Sequence, residues 1–247
     1  MMNNIPKVIH YCWFGKNNKS KLIQNCIASW KKYLPDYEII EWNETNFDVN
    51  SNDFVKDAYE NKKWAFVSDY CRLWVLCHYG GVYLDTDMEV LKSLNIFLNE
   101  VAFGGIEKLR DKEHINMAIW GCKKNDEFIK HLLNKYENIN FTDYRDNLFK
   151  LAIPNIVTEK AVHLGWDKNR QENVFFNGTK IYSREYFYPK GFSWEECEIT
   201  DHTYTIHHYD GSWKKPHQII RTKTKMILIK ILGYKIVDSI TKIIKKK

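Results

Sequence analysis

The sequence predicts an α/β domain built around a mostly parallel β-sheet. Short apolar runs with the length of buried strands alternate along the first half of the chain with segments of helical periodicity. The links between these segments are short, as expected for consecutive strands and helices of one layered domain. The length of 247 residues also suffices for one large core.

Five segments define the predicted order of strands and helices in the first half. The first strand is KVIHYC at 7–12, and residues 19–33 follow with apolar side chains at helical spacing. The second strand is YEIIEW at 37–42. A long helix covers 64–79, ends at a glycine pair and leads directly into a third strand at 82–84. Ligands bind outside the carboxyl ends of such strands, so we expect the functional residues there.

The second half of the chain is less regular. After the apolar run VAFGGI at 101–106, residues 124–137 have helical character. Residues 138–200 are rich in Asn, Asp and aromatic side chains, and we expect them to build loops and small elements around a cleft. Because no linker precedes residue 215, we predict one domain over 1–215 and a tail over 216–247.

The tail carries the positive charge of the chain. From residue 221 onward nine Lys and Arg residues stand against Asp238 alone, so this segment has a net charge of +8 and the preceding chain −2. A nucleic-acid-binding protein carries positive charge on its folded body, so no nucleic acid is expected as a partner. Apolar residues interleave with the lysines, which predicts a basic amphipathic helix that either packs on the domain or anchors the protein to anionic lipids.

The cysteines and the amino terminus indicate a cytoplasmic protein. The six cysteines include no CxxC pair and no zinc-type spacing, so we expect reduced, buried thiols. The amino terminus lacks the basic and apolar regions of a signal peptide. No run reaches the roughly 18 apolar residues that cross a bilayer. With its basic tail, the protein is predicted to be peripheral on the inner face of the cell membrane.

Two aspartates follow the third strand in the segment GGVYLDTD at 80–87. Side chains two residues apart in an extended chain point the same way, so Asp85 and Asp87 can offer oxygens to one hard cation, Mn²⁺ or Mg²⁺. Such a cation stabilises the charge that develops when a nucleotide diphosphate leaves a sugar. Asp-x-Asp pairs also face water at many strand ends, but the preceding GGVYL favours the metal site.

Further candidate residues adjoin this strand end. Asp69 and Arg72 lie three residues apart on the preceding helix, either as a local ion pair or as a group that holds ribose and sugar hydroxyls. Trp13 follows the first strand, where a doubly wound sheet binds its nucleotide. It either packs in the core or stacks on a base, which is worth roughly 1–3 kcal/mol. The spacing alone does not separate these alternatives.

Three blocks together resemble the DXD-containing sugar-binding glycosyltransferases of bacterial capsule and surface-polysaccharide clusters. The blocks are IPKVIHYCWFG at 5–15, SDYCRLWVLCHYGGVYLDTD at 68–87 and IHHYDGSW at 206–213. Fungal α-mannosyltransferases share the motif, and clostridial glucosylating toxins are more distant relatives. The resemblance implies a GT-A fold with one Rossmann-like nucleotide-binding domain, Mn²⁺ dependence and retention of anomeric configuration. Lys16 departs from the pattern, because related sequences usually have a second glycine there.

The resemblance also implies roles for individual residues. Trp13 would stack on the uracil of a UDP-hexose. Asp69 and Arg72 would hold the ribose and the donor sugar, and Asp85 and Asp87 would bind the metal and the diphosphate. Asp69, Arg72, Asp85 and Asp87 would together be the catalytic residues.

The late block IHHYDGSW would complete the metal and phosphate shell. His208, which begins a His-x-x-Gly segment, is the preferred third metal ligand and His207 the alternative. Adjacent residues of an extended strand point to opposite faces, so at most one of the two should reach a given metal. Ser212 and Trp213 would contact the diphosphate, and Tyr83 would lie close to the donor.

The predicted function is transfer of a hexose from UDP-galactose or UDP-glucose to a lipid-linked or oligosaccharide acceptor in capsular or surface-polysaccharide biosynthesis. Two other classes use similar features. A metal-dependent phosphohydrolase would use Asp85 and Asp87, but it also needs a later Lys and a further acidic pair, which cannot be placed in this sequence. A non-catalytic carbohydrate-binding protein would use the aromatic residues and has no need of the two aspartates.

Overall fold

A computed structural model describes most of the chain. It covers residues 5–109, 112–144, 147–169, 173–191 and 197–211, and in the tail residues 224, 227–229, 231–233 and 236–237. The strands are β1 (Val8–Cys12), β2 (Glu38–Trp42), β3 (Gly81–Leu84), β4 (Met88–Val90), β5 (Ala102–Leu109), β6 (Lys112–Cys122), β7 (Asn173–Phe175), β8 (Thr179–Tyr182) and β9 (Thr205–His207). The α-helices are α1 (Lys21–Tyr33), α2 (Asp53–Glu60), α3 (Trp64–Tyr79), α4 (Glu127–Glu137), α5 (Ile153–His163) and α6 (Arg184–Phe187).

Seven strands of the described part form one mixed sheet in the order β2-β1-β3-β6-β5-β8-β7. The parallel pairs are β1–β2, β1–β3 and β5–β8, and the antiparallel pairs are β3–β6, β5–β6 and β7–β8. β6 and β7 therefore run against the other five strands. The predicted α/β class with a mostly parallel mixed sheet is confirmed. β4 and β9 form a separate antiparallel pair.

The predicted strands and helices of the first half are all present. α1 begins after Ser20, whose hydroxyl accepts a hydrogen bond from the Ile23 amide and satisfies one of the free donors of the first turn. α2 is an addition to the predicted order, and the side chain of Asn52 caps it in the same way by accepting from the Phe54 amide.

A glycine pair joins α3 to β3. Gly80 and Gly81 have φ angles of 67° and 92°, a backbone region that favours glycine. A Cβ atom at Gly80 would also lie 2.5 Å from the backbone nitrogen of Lys124. The pair lets the chain turn from the long helix straight into the strand, so that α3 packs on the sheet beside the strand that ends in Asp85 and Asp87.

The hydrophobic core lies on both faces of the sheet, and β3 contributes to both. Val82 and Leu84 pack in the cluster that contains Trp30 of α1. Tyr83 packs in the other cluster, which contains Leu73 of α3. Because side chains alternate along a strand, Asp85 follows the direction of Tyr83 and faces α3. This parity carries the carboxylate toward the polar residues of that helix.

The β5–β6 hairpin is the largest departure from the predicted order. The apolar run at 101–106 begins β5, which continues to Leu109, but β6 has no counterpart in the sequence prediction. β6 separates β3 from β5 in the sheet. The expected loop region at 138–200 also contains α5, β7, β8 and α6. The parallel pairing of β5 with β8 joins residues far apart in the chain, and local periodicity carries no signal of it.

All six cysteines are free thiols, and five of them are buried. Burial raises the pKa of the Cys71 thiol, which packs against Cys12 behind the end of β1. Cys197 is exposed, in contrast to the expectation of a buried residue.

Most of the predicted tail, 216–247, lies outside the described residues. The described residues between 224 and 237 are helical except at Gly233. Ile229 and Val237 are buried, whereas five apolar side chains are exposed: Ile227, Leu228, Ile231, Leu232 and Ile236. Within the described ranges, no helix combines the length and the apolar character that crossing a membrane requires.

Candidate active site

A cleft of about 690 Å³ opens at the sheet edge where β1 and β3 end. Its walls come from α3, the β5–β6 hairpin, the start of α5 and the segments that follow β1, β3 and β9. The predicted residues that line this cleft are Trp13, Asp69, Arg72, Tyr83, Asp85, Asp87 and His207. Ser212 and Trp213 lie outside the described residues. The sequence therefore placed its main candidates at one common edge.

Asp85, Asp87 and His207 form a potential metal site. Each offers one ligand atom, and these atoms lie within 4.8 Å of one another. The antiparallel pair β4–β9 brings them together, because His207 stands opposite Met88, the residue after Asp87. The Nε2 atom of His207 lies 3.3 Å from Oδ1 of Asp87. Two carboxylates and one imidazole are ligands that Mn²⁺ and related divalent cations accept.

The charges at this site favour a bound cation. Burial by itself raises the pKa of Asp87, but His207 and the Asp210 amide, which donates to Asp87 over 2.8 Å, lower it to about 2. Burial lowers the pKa of His207, but the carboxylates of Asp87, Glu107 and Asp85 outweigh it and raise the pKa. The buried Nδ1 of His207 has no hydrogen-bond partner among the described residues. The site is thus an anionic pocket with a free imidazole nitrogen.

His208 does not reach this site. Its Nε2 atom lies 2.8 Å from Oε2 of Glu89, while its backbone amide donates to the carbonyl oxygen of Asp87 over 3.0 Å. Of the two predicted histidines, the structure thus brings the alternative, His207, and not the preferred His208 to the two aspartates. Side chains alternate along β9, and the sequence does not show which of two adjacent histidines shares the parity of the aspartates.

Asp69 and Arg72 belong to a buried network that reaches Asp85. The NH2 atom of Arg72 lies 3.1 Å from Oδ1 of Asp69 and 3.0 Å from Oδ1 of Asp85, and its NH1 atom donates to the carbonyl oxygen of Met117 over 2.8 Å. The guanidinium group also lies 4.6 Å from the centre of the Tyr83 ring. The pair is therefore more than a local contact on a helix surface.

The other atoms of this network are also held. The Tyr83 hydroxyl donates to Asp85 over 3.1 Å, and Oδ2 of Asp69 accepts from the Ile153 amide over 3.3 Å. Burial raises the pKa of Asp69 to about 7, although Arg72 acts in the opposite direction. These contacts fix the position of Asp85, whose side chain is 26 % exposed, whereas the side chain of Asp87 is 12 % exposed.

Trp13 lies at the far end of the cleft from β5. Its Nε1 donates to the carbonyl oxygen of Asn17 over 2.7 Å, and Nζ of Lys19 lies 5.2 Å from its ring centre. The side chain is half-buried, so one part of the ring faces the cleft. Lys16, at the position where related sequences have a glycine, adopts the left-handed φ of 58° that a glycine would take.

Sequence reasoning missed two residues of the cleft, Glu107 and Tyr209. Glu107 is a buried carboxylate on β5 that accepts a hydrogen bond from the Asn116 side chain. Tyr209 follows β9, and its ring lies against that of His207 at a tilt of 40°, with ring centres 4.1 Å apart. The sequence contains one signal for Glu107, since this glutamate directly follows the apolar run at 101–106 and so lies toward the carboxyl end of the strand. Without the β5–β6 pairing, however, nothing connected it to Asn116.

Comparison with known proteins finds a family match, sequence relatives and similar solved structures. Residues 20–103 match the family described as "Glycosyltransferase sugar-binding region containing DXD motif". The chain is 26 % identical over 213 residues to mannosyl phosphorylinositol ceramide synthase SUR1 of Saccharomyces cerevisiae, over 77 % of this chain and 52 % of that protein. It is 28 % identical over 113 residues to inositol phosphoceramide mannosyltransferase 1 of Schizosaccharomyces pombe, over 41 % and 34 %. The solved structure of the PaToxG glycosyltransferase aligns with a TM-score of 0.49 and 21 % identity, over 64 % of this chain and 69 % of that one.

The family match confirms the resemblance drawn from the sequence blocks. Residues 20–103 match the sugar-binding region that contains the DXD motif of glycosyltransferases, and the sheet around them is the mixed α/β sheet that the resemblance implies. The chain spans less than two thirds of the length of the curated relatives that it matches, between 15 % and 60 %.

Proposed function

We propose that the protein is a metal-dependent, retaining glycosyltransferase that transfers a hexose from a nucleotide-diphosphate sugar to a carbohydrate acceptor. The observation that carries this proposal is the convergence of Asp85, Asp87 and His207 within 4.8 Å in a cleft at the carboxyl ends of β1 and β3. A cleft of about 690 Å³ is within the size range of sites for small molecules and cofactors.

Different residues of the cleft bind different parts of the nucleotide-sugar donor. Asp85, Asp87 and His207 hold Mn²⁺ or Mg²⁺, which when bound supplies Lewis-acid stabilisation of the charge on the departing diphosphate. Arg72 positions Asp85 and, with Asp69, holds the ribose and the donor sugar. These buried, charge-assisted contacts are strong enough to fix the donor in one orientation.

The nucleotide base is assigned to the β1 side of the cleft. Trp13 stacks on the uracil, and Tyr83 supports the donor through its contacts with Arg72 and Asp85. Ser212 and Trp213 contact the diphosphate in this proposal. These two roles are supported by the sequence block at 206–213 alone, since Ser212 and Trp213 lie outside the described residues.

A screen of donors tests the function. The purified chain is incubated with UDP-glucose, UDP-galactose or GDP-mannose, with Mn²⁺ or with a chelator, and free nucleotide is measured. GDP-mannose is included in the screen because one relative is named a mannosyltransferase and another a mannosyl phosphorylinositol ceramide synthase. We expect one donor to be consumed with the metal and none without it. Hydrolysis of p-nitrophenyl phosphate instead would indicate a phosphohydrolase, and sugar binding without any turnover would indicate a carbohydrate-binding protein.

The acceptor side of the proposal concerns the tail. We assign 1–215 to the catalytic domain and 216–247 to an anchor on the inner face of the cell membrane, next to a lipid-linked acceptor. The exposed apolar residues between 227 and 236, together with nine basic residues from 221 onward, provide an insertable face and a charge that anionic lipids attract.

Removal of the tail is expected to release the protein from membranes. Deleting 221–247 should abolish sedimentation with phosphatidylserine-containing vesicles and leave donor turnover intact. In the full-length chain, replacing the three final lysines, Lys245, Lys246 and Lys247, with Gln should weaken binding about 100-fold, at about 1 kcal/mol per lysine. Phosphatidylcholine vesicles are the control for charge. Unchanged binding of both variants contradicts the anchor and places the tail on the domain surface.

A further inference from the structure

Glu107 is a buried carboxylate in the wall of the cleft to which the roles above assign no task. It lies on β5, and its side chain accepts a hydrogen bond from Nδ2 of Asn116 on β6. The Asn116 amide has a defined orientation, because its Oδ1 accepts from the Ala118 amide over 2.8 Å. Its NH₂ group therefore faces Glu107, which gives the carboxylate one fixed position.

Tyr209 ties the same carboxylate to the metal-binding segment. The Tyr209 hydroxyl lies within hydrogen-bonding reach of Glu107 and 3.3 Å from the carbonyl oxygen of Lys190, and its ring lies against His207 at a tilt of 40°. Burial and the negative charge of Glu107 both raise the pKa of the Tyr209 hydroxyl, so it remains a neutral donor. The residue after Tyr209, Asp210, donates its amide to Asp87. Glu107 is thus held from two sides, by β6 and by the segment after β9.

The order of strands places Glu107 beyond the diphosphate. Along the sheet edge, β3 carries Asp85 and Asp87, β6 follows with Asn116, and β5 comes next with Glu107. β3 and β5 are therefore two strand spacings, or roughly 10 Å, apart across the sheet. Glu107 lies outside the group of residues whose ligand atoms come within 4.8 Å of one another. It therefore stands next to the metal site, on the side away from Trp13, where a sugar attached to the diphosphate must lie.

The chemistry of a carboxylate fits this location. An ionised Glu only accepts hydrogen bonds, and its two oxygens have more acceptor positions than Asn116 and Tyr209 use. The hydroxyl groups of a sugar are hydrogen-bond donors that can occupy the remaining acceptor positions. A hydrogen bond to a charged acceptor in a buried site contributes about 1.5–3 kcal/mol. Such a contact discriminates between hexoses that differ in the orientation of one hydroxyl.

We propose that Glu107, positioned by Asn116 and Tyr209, accepts hydrogen bonds from hydroxyl groups of the hexose being transferred and thereby determines donor-sugar specificity. The inference rests on the proposed function, since it needs a nucleotide-sugar in the cleft. It assigns Glu107 to the sugar and not to the metal, the nucleotide or the acceptor.

Binding measurements separate these possibilities. Titration calorimetry with Mn²⁺ gives the Kd of UDP against UDP-glucose and UDP-galactose, and of GDP against GDP-mannose, for the parent and for Glu107→Gln. For the donor that the parent turns over, we expect the ratio of the nucleotide-sugar Kd to the nucleotide Kd to rise about 10- to 100-fold in Glu107→Gln. The Kd of the nucleotide alone should remain unchanged.

Two further variants make the test specific. Tyr209→Phe removes only the hydroxyl, so it should raise the same ratio by a smaller factor, and it provides an independent answer if Glu107→Gln does not fold. Glu113→Gln changes an exposed glutamate of the same hairpin that lines a separate cavity, and its ratio should equal that of the parent.

Three results would overturn the inference. An unchanged ratio in Glu107→Gln and Tyr209→Phe would show that the carboxylate does not contact the sugar. An equal rise in both Kd values would place Glu107 with the metal and diphosphate. Failure of the parent to bind any nucleotide with Mn²⁺ would refute the proposed function itself and the inference with it.

Discussion

Replacing Asp87 with asparagine is expected to lower donor turnover by at least about 1,000-fold. Asp87 is 9 % exposed, pairs with His207 and accepts from the Asp210 amide, so asparagine preserves the shape of the site and removes its charge. A metal that neutralises a departing diphosphate contributes several kcal/mol, and each 1.36 kcal/mol is worth a factor of ten in rate. The measurement is nucleotide release with Mn²⁺ over a range of metal concentrations.

Asp87 is a cleaner test than Asp85 for a structural reason. Asp85 also binds Arg72 and the Tyr83 hydroxyl, so its removal leaves a buried guanidinium with only one carboxylate partner. Asp143→Asn, at an exposed position outside the cleft, is the matched control and should behave as the parent. Turnover of Asp87→Asn within tenfold of the parent, with equal metal dependence, would remove Asp87 from the metal site.

Replacing Arg72 with methionine is expected to destabilise the fold by about 3–5 kcal/mol. Arg72 is 5 % exposed and is the shared partner of Asp69 and Asp85. Its removal leaves buried carboxylates without compensation, which costs far more than a surface ion pair is worth. For a chain of this size each kcal/mol shifts Tm by about 2–4 °C, so the drop should be on the order of 10 °C.

A second ion pair in the chain provides the control for Arg72. Lys130 and Glu127 are also three residues apart on one helix, but both are exposed. Lys130→Met should change stability by less than about 1 kcal/mol. Adding Asp69→Asn to Arg72→Met should recover part of the loss, because one stranded charge is removed. Equal melting temperatures for Arg72→Met and Lys130→Met would show that the network does not hold the cleft together.

Local patterns were sufficient to predict the strand that ends in Asp85 and Asp87. The helix over 64–79, the glycine pair and the two aspartates lie within one continuous stretch, and each step follows from short-range periodicity or backbone freedom. Trp13 lines the same cleft for a related reason, since the end of a first parallel strand meets the end of its neighbour. These residues occupy one edge because β1 and β3 are adjacent and parallel, so that both strands end there.

Long-range pairing determines the parts that were not predicted. The choice between His207 and His208 depends on the register of β9 against β4, which joins residues more than a hundred positions apart. The role of Glu107 depends on the β5–β6 hairpin, which inserts β6 beside β3. β6 shows no clean alternation of apolar and polar residues, because residues 115–122 are buried on both faces of the sheet. No window of the sequence contains this information.

Anomalous diffraction from a crystal grown with Mn²⁺ and the donor that the screen identifies tests the central claim most directly. We predict one manganese peak bounded by the Asp85, Asp87 and His207 side chains, with the diphosphate as its remaining ligand and the base beside Trp13. A peak elsewhere, or nucleotide-sugar bound in the cleft with no manganese between these three residues, would contradict the account.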